Sequence, residues 1–584
     1  MNFWKAFFAS CLGALVAMIL LCVIIVAIIS ASGGEEVKVR ESSILKLDLD
    51  VPVIETEKES AFAFSMLDGN APKPIGLAQL RQTIEHAKDD DNIKGIFVNV
   101  SLPQTGYTTI EEIRQALIDF RSGGKWVIVY SEMFSESAYY LATAADKIYL
   151  NPEGELEFNG LTAEVSFFKR LFDKLEVKPE VFRVGEFKSA VEPFLLEKMS
   201  NENRLQLNEM INSINNHVLN RISQARKIQR DTLEQISEKM LVRNAKQALQ
   251  RQLVDSLLYV DQVESVLKRR SGIDEDKKLQ FVTYAKYKSS FSTYKASQNE
   301  VAVIVAEGTI LPGKSEKGSS VVGAESFIKD IKKAREDDEI KSVVVRINSP
   351  GGSFQASDAM WREIKLTAEK KPVIASMSDY AASGGYFLAM ACDTIVAQPH
   401  TITGSIGVFS VLFDASGLLN NKIGITTEEI KTGDVGELIT VTRPLTPLER
   451  QIWQTRTEEI YDTFTAKAAE GRNVPVDSIK AVASGRVWTG VQAKDRKLVD
   501  VVGGFEDAVR IAAKSAGLSD DYKVRFYPVY EPSIFEQIIS QMEEGKSSQL
   551  KEEMGAYYHL YEYWKVVSTY QGTQARMPYE LKIQ

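Results

Sequence analysis

The chain has 584 residues, and its 70 Lys and Arg against 79 Asp and Glu leave a net charge of −9, so it lacks the basic excess a nucleic-acid binder carries. Hydrophobic residues at 44% and charged ones at 26% are ordinary globular usage, which excludes a disordered or fibrous chain. Three cysteines exclude a disulfide scaffold and a thiolate metal cluster, because Cys11 and Cys22 lie in an apolar N-terminal run and leave Cys392 alone.

The first predicted element follows a five-residue N-terminus, residues 1–5. Ala6 to Ile29 is 24 residues without a charge. At about 1.5 Å per helical residue that spans a hydrocarbon core of roughly 30 Å. The stretch exceeds the roughly 7–15 apolar residues of a cleaved leader, which predicts a retained transmembrane anchor at 6–29. Lys5 precedes it while Glu35 and Glu36 follow, so the positive-inside bias puts the bulk of the chain outside the cytoplasm. In a bacterium this predicts a single-pass inner-membrane protein facing the periplasm.

Beyond the anchor the chain repeats itself. Ala87 to Lys94 reads AKDDDNIK and Ala334 to Lys341 reads AREDDEIK, an offset of 247 that also carries Tyr139 onto Tyr386, Asp146 onto Asp393 and Pro152 onto Pro399. Leu253 to Asp255 matches Leu498 to Asp500 at an offset of 245. The soluble part is therefore read as a tandem duplication, 43–285 and 299–530, with a tail at 531–584 that has no counterpart in the first copy. In each copy a charged helix end leads into a β-branched run, Ile96 to Val100 or Val343 to Ile347, and then a second apolar run, Trp126 to Tyr130 or Val373 to Met377. Strands alternating with helical segments predict α/β units with mostly parallel sheets. Asn203 to Leu241 predicts a polar helical connection between the copies.

The second copy carries the chemistry. Asn348 to Ser353, NSPGGS, puts two glycines directly after a strand, where amide N–H groups stay uncovered, as an oxyanion binder needs. Tyr380 to Tyr386, YAASGGY, follows the next strand, and its small residues leave the Ser383 hydroxyl approachable, with the Gly384 amide beside it and Gly352 opposite. A serine nucleophile needs a base. The four histidines, His86, His217, His400 and His559, lie in helical, turn or tail contexts without a nearby orienting group, and each is read as an ordinary surface or turn residue. A lysine base remains.

NSPGGS, YAASGGY, TITGSIGV from Thr401 to Val408 and, in the first copy, FRVGEFKSAVEPF from Phe182 to Phe194 together resemble the signal peptide peptidase A (protease IV) family in its long, duplicated, membrane-anchored form. The resemblance runs to about residue 530. It implies tandem ClpP/crotonase-like α/β domains and a Ser-Lys dyad serine endopeptidase that degrades cleaved signal peptides. By motif, Ser383 would be the nucleophile, Lys188 the general base, Gly352 and Gly384 the oxyanion donors and Ser405 the hydroxyl that orients the lysine. No metal or cofactor is implied. The implied partners are signal peptides, the lipid bilayer and further copies of the chain, commonly four; nucleic acid is not among them. A Lys188 that is neutral near pH 7 requires a pKa roughly three pH units below the reference near 10.4, and Phe187, Val191 and Phe194 are apolar neighbours suited to that.

Aligned at the repeat offset, Gly351 and Gly352 face Gln104 and Thr105 and Ser383 faces Glu136; with Gly185 paired to Gly433, Lys188 falls on Gly436. Each copy lacks what the other keeps. One catalytic centre is therefore expected where a first copy meets a second, within a chain or between neighbours in a ring. Two other readings compete. A crotonase-like acyl-CoA enzyme shares the oxyanion device but would not meet CoA outside the cytoplasm. A non-catalytic membrane scaffold fits the degenerate first copy but not the acyl-transfer groups kept in the second.

Overall fold

The computed structural model describes residues 38–57, 73–291, 297–315, 320–519, 521–528 and 573–577, with Gly13 alone from the N-terminal stretch. The expected anchor at 6–29 and His559 lie outside the described residues. Among those residues no helix is long and apolar enough to cross a membrane.

Each repeat builds a sheet from the apolar runs, parallel throughout except that Val487–Thr489 in the second runs antiparallel to Ile402–Gly404. In the first, the order is Ser256–Leu257, Lys147–Leu156, Trp126–Phe134, Ile93–Asn99, Ser43–Asp48 and Phe281–Thr283. In the second it is Val487–Thr489, Ile402–Gly404, Val373–Ala382, Ile340–Ser349, Glu300–Glu307 and Lys523–Tyr527, with Thr394–Ala397 also paired to Val373–Ala382. Continuous apolar strands suit this arrangement because helices cover both faces. In Ile340–Ser349, Val343, Val344 and Val345 are all fully buried, although alternate side chains point to opposite faces.

The duplication extends to individual hydrogen bonds. Tyr139 donates to the Leu253 carbonyl at 2.9 Å, and Tyr386 to the Leu498 carbonyl at 3.0 Å. Asp146 accepts from the Val127 amide as Asp393 accepts from Val373, each at 2.8 Å. Met133 pairs with Glu155, and Tyr380 with Ile402, so the register of 247 holds through the strand that follows YAASGGY.

A third sheet joins the repeats. Its order is Val321–Gly323, Thr309–Leu311, Gly351–Ser353, Thr573–Arg576, Val408–Asp414 and Lys178–Val184. The last strand belongs to the first repeat and pairs antiparallel with Val408–Asp414 over seven residues, from Val184 with Val408 to Lys178 with Asp414. Sequence reading assigns the tail no place in the fold. Here Thr573–Arg576 runs antiparallel to both Gly351–Ser353 and Val408–Asp414, and Met577 donates its amide to the Pro350 carbonyl at 2.6 Å. The polar connection forms Asn201–Arg226 and Arg230–Glu238, and the longer helix leans on Val487–Thr489 of the second repeat.

Candidate active site

The strand Val373–Ala382 ends one residue before Ser383, and the helix Gly384–Ala389 begins one residue after it. Ser383 makes this sharp turn with φ +54° and ψ −111°, a conformation costly for a residue with a Cβ, and is held there by its amide donating to the Gly404 carbonyl at 2.8 Å. Strained backbone at a reactive side chain persists only where the surroundings over-determine it.

Lys188 arrives from the other repeat. Lys178–Val184 delivers the chain to a turn at Gly185, after which Lys188 lies immediately before a 3₁₀ turn at Ser189–Val191. Its Nζ is 3.0 Å from Ser383 Oγ, 3.1 Å from the Ser405 carbonyl oxygen and 3.0 Å from Ser405 Oγ. These atoms come together within a single chain. The lysine is fully buried, no ion pair holds it among the described residues, and burial drives its pKa well below the ordinary lysine value. A neutral amine has two N–H donors and one lone pair. The Ser405 carbonyl can only accept, and Ser405 Oγ has its own acceptor in the Gly485 carbonyl at 3.4 Å, so the lone pair is left for the Ser383 hydroxyl to donate into.

The walls around Lys188 differ from the expected ones. Val191 and Phe194 are buried, packing in a cluster with Phe409 and Val411, but Phe187 is partly exposed with the Arg486 guanidinium 4.7 Å from its ring. Backbone also covers Lys188. A Cβ on Gly485 would lie 2.6 Å from Lys188 Cβ, and one on Gly407 would lie 3.3 Å from Lys188 Cδ. Motif reading missed Gly485, whose φ of +78° was the local signal of a position reserved for glycine. It also missed Gln206, fully buried on the connecting helix, whose amide donates to the Phe187 carbonyl at 3.1 Å and to Ser189 Oγ at 2.7 Å while its oxygen accepts from the Val487 amide at 3.3 Å. It clamps the lysine turn to the strand that pairs with Ile402–Gly404. Replacing Gly485 by alanine should therefore displace Lys188 and lower kcat about 100-fold, since misplacements near 1 Å cost that much, while the circular dichroism spectrum stays native. Wild-type turnover by a well-folded Gly485→Ala protein would refute this account of the walls.

Gly352 lies in Gly351–Ser353, between Ile310 on one side and Ala575 on the other. A Cβ there would come within 2.0 Å of the Ile310 carbonyl, so only glycine fits. Gly384 opens the helix after Ser383, and Gly385 packs so tightly on the Ser349 carbonyl that a Cβ would lie 2.7 Å away. Ser405 is itself at φ +50°, with its amide donating to the Arg486 carbonyl at 2.7 Å.

The histidines need correction. His400, read as an ordinary turn residue, is fully buried, packs edge-on to His217 and lies 3.3 Å from the Tyr140 hydroxyl. His86 is stacked on Phe291 and hydrogen-bonded to the Tyr287 hydroxyl at 2.9 Å. No histidine is hydrogen-bonded to Ser383 among the described residues. Turn context in a sequence carries no information on which loop another repeat will cover.

The family model for peptidase family S49 matches residues 119–274 and 365–519, once in each repeat, and that for Clp protease matches 301–403. The chain belongs to peptidase family S49. It is similar to the chloroplastic serine protease SPPA of Arabidopsis thaliana, 37% identical over 79% of this chain and 68% of that one. It is also similar to Protease 4 of Haemophilus influenzae, 32% identical over 91% of this chain and 90% of the relative, and to Protease 4 of Salmonella typhi, 34% identical over 82% and 78%. The protein is thus a serine endopeptidase of the signal peptide peptidase A (protease IV) group, with an α/β ClpP-like fold present in two S49 copies. In this peptidase each family match includes one half of the Lys188–Ser383 contact.

Proposed function

We propose that this S49 peptidase is a membrane-anchored Ser-Lys endopeptidase that degrades signal peptides after their release from preproteins. The observation that carries the reading is the 3.0 Å approach of a buried amine without an ion pair to a strained serine hydroxyl. In the proposed reaction the Lys188 lone pair takes the Ser383 proton as Oγ attacks the peptide carbonyl. The Gly352 and Gly384 amides hold the resulting oxyanion. Lys188 then returns the proton to the leaving amine, and water hydrolyses the acyl-enzyme with the same amine as base. Ser405, accepting one N–H at its carbonyl and another at its hydroxyl, keeps the lone pair aimed at Ser383.

The substrate is an extended peptide added as a strand. Gly351–Ser353 and Val408–Asp414 both offer a main-chain edge to the slot between them, and Thr573–Arg576 already pairs with both. A peptide entering that slot displaces the tail. The proposed repeats, 43–285 and 299–530, are held at the bilayer by the apolar segment at 6–29 on the periplasmic side of the bacterial inner membrane, as a homotetramer with one site per chain.

The test combines labelling with cleavage. A fluorophosphonate should label the wild type at Ser383 and leave Ser383→Ala unlabelled, and a model signal peptide in lipid vesicles should be cut only by the former. Labelling at another residue, or an intact peptide, would overturn the reading.

A further inference from the structure

The first repeat keeps a cavity where the second keeps its nucleophile. Glu136 lies three residues before Tyr139, as Ser383 lies three before Tyr386, and the two tyrosines make the same hydrogen bond in their own repeats. The same register places Phe158 opposite Ser405. The cavity, about 960 Å³, is at the upper end of the roughly 300–1,000 Å³ of small-ligand pockets, and Asp379, Tyr380, His400 and Ile402 line it from the second repeat. No lysine or arginine lines it.

Three buried polar atoms along it have no partner: Glu136 Oε1, the Tyr107 hydroxyl and His400 Nδ1. Glu136 is 4% exposed, Tyr107 7% and His400 2%. The other carboxylate oxygen of Glu136 accepts the Asn159 and Gly160 amides at 3.0 and 2.8 Å, which fixes the side chain with Oε1 free. Burial raises the Glu136 pKa to about 6, so the group remains charged at neutral pH. His400 is the opposite case, held neutral by burial and by His217, Arg114 and Arg221 around it. Its tautomer follows from the network. Tyr140 gives its proton to Glu111 at 2.5 Å, so the Tyr140 oxygen must accept from His400 Nε2–H, and Nδ1 is left as a bare acceptor.

A carboxylate oxygen, an imidazole nitrogen and a phenol oxygen, buried and unsatisfied, are complementary to a group with several N–H donors and a positive charge. We propose that this cavity binds, without cleaving it, a primary ammonium group carried by a peptide, either the free amino terminus or a lysine side chain. Glu136 Oε1 takes the charged hydrogen bond, and Tyr107 and His400 Nδ1 take the other two N–H donors. The choice of a peptide as carrier rests on the peptidase reading above; the ammonium specificity rests on the cavity alone. In this view the degenerate copy became a holding site, because replacing the nucleophile by a carboxylate turned an attacking position into a cation acceptor.

The experiment uses the full chain in detergent micelles with Ser383→Ala to stop turnover, and calorimetry with three tetra-alanine amides: free amino terminus, Nα-acetylated, and Nα-acetylated with one lysine. The free amine should bind at least ten-fold more tightly than the acetylated peptide. The lysine peptide tells the two sources apart, matching the free amine if side chains enter and the acetylated peptide if only the terminus does. Glu136→Gln, which keeps an acceptor for Asn159 and Gly160, should bring the free and acetylated peptides to equal affinity, and Tyr107→Phe should weaken the free amine several-fold while the protein melts as before. Equal binding of all three peptides, or a ten-fold preference that survives both substitutions, overturns the proposal. Hydrolysis of a model signal peptide by the wild-type enzyme is read separately, and its failure bears only on the Ser383–Lys188 assignment, whereas the calorimetry decides the ammonium site.

Discussion

Lys188→Met is expected to reduce peptide hydrolysis by at least 10⁴-fold and, at the same time, to raise the melting temperature. Loss of activity follows because no other group with a free lone pair is hydrogen-bonded to Ser383 Oγ among the described residues, and removing a member of a nucleophile–base unit costs about 10⁴–10⁶ in kcat. The gain in stability follows from linkage. Burial lowers the folded-state pKa of Lys188 well below its unfolded value near 10.4. Between those two values the unfolded chain holds a proton that the folded chain has released, so wild-type stability rises with pH across that window and the full cost is present below it. Each ten-fold loss of proton affinity on folding costs about 1.4 kcal/mol, and methionine, which is apolar and of similar length, escapes it. At about 2–4 °C per kcal/mol for domains of 150–250 residues, a clear rise should appear at pH 6 and shrink by pH 9. Scanning calorimetry of both proteins at the two pH values, beside a peptide cleavage assay, measures it. A variant retaining more than about 1% of activity, or melting below wild type at pH 6, would show that this amine is neither the base nor stored uncharged. Arginine at 188 should be equally inactive, because a guanidinium does not give up its proton near neutrality.

The second large effect is expected at Arg346, which contacts neither serine nor lysine. Its strand, Ile340–Ser349, leads directly into Gly351–Ser353, and its guanidinium is fully buried between the repeats. Nε donates to Glu55 at 2.7 Å, Nη1 lies 3.0 Å from Glu112, and Ser376 and Ser378 accept at 3.0 and 3.1 Å. Burial alone would lower the arginine pKa, but the Glu112 and Glu55 carboxylates from the first repeat reverse this and raise it. Arg346→Ala takes away the cation paired with buried Glu55 and leaves Glu112 with Arg81 at 3.2 Å, and should cost about 3–5 kcal/mol, read as a fall in urea midpoint and melting temperature with activity falling in step. Arg346→Met combined with Glu55→Leu and Glu112→Leu leaves no stranded charge and should recover most of that loss. If the single alanine variant melted within a degree of wild type, the interface would not depend on this cluster.

Much of the chain was legible without coordinates because its signals are local. The AKDDDNIK and AREDDEIK helix ends, the β-branched runs after them and the offset of 247 each depend on a few neighbouring residues, and a buried parallel strand has to be apolar on both faces wherever it ends up. The glycine turns at 351–352 and 384–385 were visible for the same reason, since a backbone that approaches a carbonyl to within 3 Å has no room for a Cβ. Lys188 was a different matter. Its neighbours Phe187 and Phe194 look apolar in sequence, yet Phe187 is partly exposed and backbone at Gly485 and Gly407, some 220–300 residues away in the chain, packs against it.

The amino-acid sequence by itself determined that two α/β copies exist, because periodicity and composition are properties of adjacent residues, and it was the resemblance of its motifs to a family that pointed to a serine in one copy and a lysine in the other. Tertiary structure alone decided that one chain brings Lys188 within 3.0 Å of Ser383, that His400 is sealed between repeats, that Glu136 faces a cavity and that Thr573–Arg576 enters a sheet formed by both copies. Desolvation and strand pairing are set by which distant surfaces meet, and no stretch of sequence records the atoms that will exclude its water.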